Sequence, residues 1–140
     1  MRRARQPTVI ALLVAVVAAA ALVIASVGAA AGSTRIVGQW SGMMRPNTGS
    51  KARTHRLTVV VFSGERAGAW RVSAGCRGTL RLKDISDRYH HYTEIPAPGT
   101  SCAGGGVDCL MRVGAHVLDE FVSRPGTSQN TTGNLQAVKG

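Results

Sequence analysis

The sequence predicts an all-β fold: a small antiparallel up-and-down barrel or meander of about seven short strands, preceded by one hydrophobic N-terminal helix. Three observations carry this expectation. Past residue 33 the chain breaks into short β-branched or alternating runs, separated by Gly, Pro, Asn, Asp and Ser at roughly 10–15-residue intervals. No convincing helical period interrupts them. The chain holds only 2 Trp, 2 Tyr and 2 Phe, so a modest core must rest on Val, Leu, Ile and the tryptophans. Closing such a sheet would also remove exposed strand edges, which are a pairing hazard.

Residues 9–31 carry no charge and almost no polarity, and Arg2, Arg3 and Arg5 precede them. A positive leader followed by an apolar run is the pattern of an export signal. Ala29-Ala30-Ala31-Gly32 supplies the small residues that signal peptidase needs, with cleavage after Ala31 and before Gly32. A run of about 20 apolar residues at ~1.5 Å each also crosses a ~30 Å hydrocarbon core. Residues 1–32 are therefore a signal peptide or a single-pass membrane anchor. Either one places the rest extracytoplasmically, secreted or held at the outer face of the cytoplasmic membrane. Arg2-Arg3 lacks the remainder of a twin-arginine signal, and no cysteine follows the small residues to accept a lipid.

The strands follow in order. Ile36–Met44 reads as the first, ended by the turn-rich residues 44–50; His55–Phe62 is the most β-branched and apolar. Residues 63–66 turn the chain into Ala67–Ser73, which contains Trp70. Gly78–Asp84 alternates, with Leu80 and Leu82 on one face and Arg81 and Lys83 on the other. Tyr89–Ile95 is stopped by Pro96-Ala97-Pro98-Gly99, and Val107–Val113 with His116–Val122 forms a last hairpin about Gly114-Ala115. The domain thus spans residues 33–122. Residues 123–140, rich in Gly, Ser, Thr, Asn and Gln, read as a disordered tail.

The formal charge is +10, and +7 without the three leading arginines. Lysine is scarce and arginine abundant beside much Ala, Gly and Val, a bias that fits a GC-rich bacterial genome. Scattered along the sequence, the cations read as a solvated surface. Their surplus still favours an anionic envelope component, such as a lipid headgroup or cell-wall polymer, as partner. The export segment and the lack of an arginine-rich helix or aromatic-interleaved basic strand argue against nucleic acid. Membrane contact is expected through the N-terminal segment.

Three cysteines offer a staple. A Cys76–Cys102 disulfide would close a loop of about 27 residues, worth roughly 3–4 kcal/mol on chain entropy. Cys102–Cys109 competes with it, because Gly104-Gly105-Gly106 allows the chain to fold back; of the two, Cys76–Cys102 is preferred. Cys109 belongs to the series Val107, Cys109, Met111, Val113, whose alternation points it toward the core as a small apolar residue. No C-x-x-C pair suggests a metal site, and no cofactor is expected.

Gly38-Gln39-Trp40-Ser41-Gly42, then Gly75-Cys76-Arg77-Gly78-Thr79-Leu80-Arg81-Leu82, then Cys102 with Gly105-Gly106-Val107 form an ordered set. The set resembles a small actinobacterial extracytoplasmic domain, found in secreted proteins and as the extracellular part of membrane serine/threonine kinases. Over about residues 36–122 the resemblance implies a small antiparallel β-barrel with Cys76 and Cys102 at the paired-cysteine positions. It implies no common activity and no functional residue; Cys109 and the Tyr89–Tyr92 run depart from it. Gly38-x-Trp40 also resembles the opening of lipocalin-type barrels, in which the tryptophan plugs one end. Small barrels are usually filled by their own side chains, so Trp40 is expected in the core.

Catalytic patterns are absent: no G-x-S-x-G, no phosphate-binding glycine loop, no H-E-x-x-H. His90 and His91 fall on opposite faces of a strand and cannot chelate together. Pairing of either with His55 across a ladder, and an acid–base role for Asp119-Glu120, are the weaker alternatives to surface positions. The functional expectation is a non-enzymatic envelope or secreted module that recognises a partner or surface component. A lipocalin-like carrier of a hydrophobic ligand and a secreted hydrolase are the alternatives. The mature N-terminus from fractionated cells separates the two export modes: a start at Gly32 means release, and an intact Arg2–Ala31 segment in the membrane fraction means an anchor.

Overall fold

Alternating residues from Gly38 onward pair as strands, and the pairing runs full circle. The computed structural model describes residues 34–140, which form a closed antiparallel barrel in chain order. Its strands are β1 (Gly38–Pro46), β2 (His55–Val61), β3 (Ala67–Val72), β4 (Arg77–Ser86), β5 (Tyr89–Pro96), β6 (Val107–Gly114), β7 (Val117–Ser123) and β8 (Thr131–Ala137). The all-β expectation holds with one strand more than the sequence suggested. The N-terminal helix and the cleavage position at Ala31 and Gly32 lie outside the described residues.

The eighth strand corrects the reading of 123–140 as disordered. Thr131–Ala137 pairs with β7 over Val117–Val122 and with β1 at both ends of the seam. Only Leu135 supplies it with a large buried apolar side chain, so composition conceals it. What holds it is backbone pairing on two sides. Closure also needs close approach: a Cβ on Gly42 would lie 2.2 Å from the Asn134 carbonyl oxygen, and one on Gly133 would lie 2.4 Å from that of Met43.

Inward residues fill the barrel. Trp40, Met44, Leu57, Val59, Val61, Trp70, Leu80, Tyr92, Leu110, Leu118, Val122 and Leu135 form the core with Ile36. Trp40 is buried at one end, as its sequence position suggested. There its Nε1 donates to the Ile36 carbonyl at 2.8 Å, and the Arg112 guanidinium lies 5.5 Å from its ring centre. Arg112 in turn donates to the carbonyls of Arg35, Gly114 and Ala115. Glu65, in the β2–β3 turn, accepts from the Ile36 amide at 2.5 Å, and its carbonyl accepts from the Tyr92 hydroxyl at 2.6 Å. This is the closed end, with short turns between β2–β3, β4–β5 and β6–β7.

The opposite end carries residues 47–54, 73–76, 97–106 and 124–130, which connect the strands there. Cys76 and Cys102 are disulfide-bonded across two of these loops, with Cα atoms 5.6 Å apart. Cys109 is free. Converting Cys76 and Cys102 to Ser should cost about 3–4 kcal/mol of stability. Urea unfolding of the variant against the oxidised protein reads that loss directly.

Candidate functional site

Period-two alternation puts three carboxylates inside the loop-end half of the barrel. Glu94 on β5, Asp108 on β6 and Glu120 on β7 face inward on neighbouring strands, each at most 3% exposed. This overturns two sequence expectations. Asp119-Glu120 is not a solvent-facing pair: Glu120 is fully buried, and Asp119 on the other face accepts from the Tyr89 hydroxyl at 2.6 Å. On β6 it is Asp108 and Leu110 that enter the core, and Cys109 is half-buried on the outer wall. Both faces of residues 107–113 carry apolar side chains, so alternation alone chose the wrong one.

Arg124, just past β7, meets this row. Its Nη2 lies 2.8 Å from Glu94 Oε2, and its Nη1 donates to the Ala103 carbonyl at 2.8 Å. Gly106 makes the approach possible, since a Cβ there would stand 2.1 Å from Glu94 Oε2 and 3.3 Å from Arg124 Nη1. The glycine run that the sequence offered as a fold-back for Cys102–Cys109 instead makes room for an ion pair. Cys102 sits in the same loop as Ala103 and Gly106, so the disulfide braces the segment that holds Arg124.

Burial, then the nearby Asp108 charge, pushes the Glu94 carboxyl up to about 8, against the pull of Arg124. Asp108 is pushed up to about 6 by burial, opposed by its hydrogen bond with Glu120. Burial and the Asp108 charge hold Glu120 well above the usual carboxylate range. Among the described residues no N–H or hydroxyl reaches the oxygens of Asp108 or Glu120. Unmet buried oxygens are costly. A proton kept on Glu120 and directed at Asp108 meets part of that need, while Glu94 faces Arg124.

Above the row opens a cavity of about 490 Å³. Glu94, Leu57, Val72, Val122 and Thr131 line its inner part, and Lys51, Arg53, His55, Arg124 and Gln129 surround them. Exposed cations stand in both halves of the barrel, and six of them lie at this end. Arg45, Lys51, Arg53, Arg56, Arg71 and Arg77 are all exposed and all belong to the loop end. No exposed carboxylate accompanies them: Glu94 and Asp108 are buried, while Glu65, Asp84, Asp87 and Asp119 belong to the closed-end half.

The histidines separate. His90 is buried, with Nε2 3.5 Å from Glu65 Oε2 at the closed end. His91 faces outward between Cys109 Sγ (3.2 Å from Nδ1) and Ser86 Oγ (2.9 Å from Nε2), with Asp84 Oδ1 3.8 Å away. Burial pushes the Cys109 thiol up to about 11, so it is held neutral beside His91 rather than as a thiolate nucleophile. His55 stands on β2, which pairs with β1 and β3, away from both.

No family model, curated protein or solved structure matches this chain.

The acid row fixes the sign of the pH dependence. Groups raised in the folded state keep protons that the unfolded chain releases. Their stabilisation is complete below the ordinary carboxylate range and is lost as pH rises through about 6 for Asp108 and about 8 for Glu94. The melting temperature should therefore fall between pH 5 and pH 9. Glu120→Gln, whose amide can donate to Asp108 without titrating, should flatten that fall. A melting temperature that climbs toward pH 9 in scanning calorimetry would contradict the shared-proton row.

Proposed function

We propose that this barrel is an exported, non-enzymatic module that binds an anionic component of the cell envelope through its loop end. The observation that carries the reading is the segregation of charge: six exposed Lys and Arg side chains, and no exposed acid, around one disulfide-braced mouth. A one-signed field of this kind attracts phosphate- or carboxylate-bearing surfaces and orients the barrel toward them. A concavity of about 660 Å³ on the outer wall adds apolar surface beside the cations, with Val60, Ala69 and Ile95 leading to Arg71 and Arg77. Cationic and apolar surface side by side suits an amphiphilic anion.

Export rests on the 1–32 segment, and the disulfide is compatible with an oxidising compartment. The resemblance to the actinobacterial extracytoplasmic domain agrees with both and rests on the Gly38–Gly42, Gly75–Leu82 and Cys102–Val107 motifs. A deep lipocalin-like calyx has less support, because the core residues fill the barrel. A hydrolase would have to be built on the neutral Cys109–His91 pair, which lies on the outer wall away from the mouth.

Sedimentation with vesicles tests the reading. The 34–140 domain should bind phosphatidylglycerol vesicles, fail to bind phosphatidylcholine vesicles, and lose binding as salt is raised. Changing Arg53, Arg56 and Arg77 together to Gln should weaken binding on the order of 100-fold, at about 1 kcal/mol per cation. Equal binding to both vesicles, or indifference to the triple change, would refute the anionic partner.

A further inference from the structure

The Glu94–Arg124 pair has an arrangement that a purely structural ion pair does not need. It lies on the floor of an open cavity, with Glu94 2% and Arg124 19% exposed, under a rim of cations. Among the described residues of the loop end, Arg124 is the cation whose charge is already answered by a carboxylate of the barrel. Its position does not depend on Glu94 alone, because Nη1 is held by the Ala103 carbonyl at 2.8 Å and its amide donates to Asn130 Oδ1 at 3.3 Å. Releasing Glu94 would therefore leave the guanidinium in place, with its Nη2 edge free toward the cavity.

We propose that Arg124 is an exchangeable seat for an oxyanion (a phosphate, phosphodiester or carboxylate group), and that Glu94 vacates it by taking up a proton. This deepens the reading of the loop end as an anion-binding face and rests on it. The exchange balances: one proton passes from solvent to the Glu94 carboxylate, the ion pair opens, and the ligand's negative charge replaces the one removed. The protonated carboxyl does not go unpartnered, because Asp108 behind it accepts its hydrogen bond. Burial beside Asp108 places Glu94 at about 8, so the exchange falls in an accessible range.

The charged and titratable groups around the seat come from every neighbouring element. They are Asp108 on β6, Glu120 on β7, His55 at the start of β2, and Lys51 and Arg53 in the β1–β2 loop. Lys51, Arg53 and Arg124 favour an anion over a cation. The acids behind favour a proton on Glu94 once that anion has arrived. The apolar lining of Leu57, Val72 and Val122 suits a ligand whose acidic group is carried on a short apolar body.

Isothermal titration with sulfate, whose charge is constant across the range, tests the seat. In the native domain the dissociation constant should rise roughly tenfold from pH 7 to pH 9, with proton uptake on binding at the upper end. Glu94→Gln should bind at least as tightly at pH 9 as the native protein does at pH 7, with no pH dependence, and Arg124→Gln should lose sulfate binding. His55→Gln should keep the native pH profile, which separates Glu94 from the rim histidine. Phosphatidylglycerol vesicles and free glycerol phosphate, run in parallel, distinguish a lipid headgroup from a soluble ester. A flat native profile, or an unchanged slope in Glu94→Gln, overturns the exchange and leaves the anionic loop end standing. Vesicle binding without sulfate binding overturns the seat alone, and absence of both overturns the loop-end reading too.

Discussion

Closure of the sheet is the constraint on which the rest of this structure depends. β8 fits between β7 and β1, and only then does each strand have a neighbour on both sides. Once the ring is closed, period-two alternation divides every strand into an inward and an outward set. Up-and-down order also assigns each connection to one of two ends. The β2–β3, β4–β5 and β6–β7 connections gather at the end of Trp40 and Arg112, and the other four gather at the end of the disulfide. The charge segregation, the mouth cavity and the buried acids follow from that geometry. A sheet of the same composition left open between β1 and β8 would have none of them fixed.

The interior is not built for stability alone. β2 shows what an optimised wall looks like: Leu57, Val59 and Val61 in, Arg56 out. Across β5, β6 and β7 the corresponding inward positions near the loop end hold Glu94, Asp108 and Glu120. Apolar residues of similar volume would fill that space without the cost of removing carboxylates from water. Proton sharing lowers the cost, and Arg124 offsets part of what remains at Glu94. The acid row, the ion pair and the disulfide-bearing loop meet at one place, which connects the electrostatics of the interior to the cationic surface above it.

Much of the fold was legible in local pattern. The seven strands through Val122 have the expected order and nearly the expected bounds, because β-branched runs and turn residues act locally. The opposed His90 and His91 follow from the same logic; the buried Trp40 and the preferred Cys76–Cys102 bond are also found. β8 was hidden because its stability comes from two neighbours rather than from its own side chains. Residues 107–113 were ambiguous because a small barrel leaves apolar residues such as Val113 outside while burying Asp108. One signal in the sequence could have exposed the error. Asp108, Glu120 and Glu94 each interrupt a strand at the same parity as a large apolar neighbour: Leu110, Leu118 and Tyr92.

By itself the sequence determined the all-β class, the strand punctuation and the surplus of positive charge. These are properties of composition and of residues a few positions apart. Tertiary structure decided which face of β6 is inside, that residues 131–137 close the ring, and that the exposed acids are confined to one half while six exposed cations stand alone at the other end. It also brought Glu94 to Arg124 across a gap left by Gly106. Those outcomes depend on long-range register, since a one-residue slip reverses every side chain of a strand. No local pattern can carry that information.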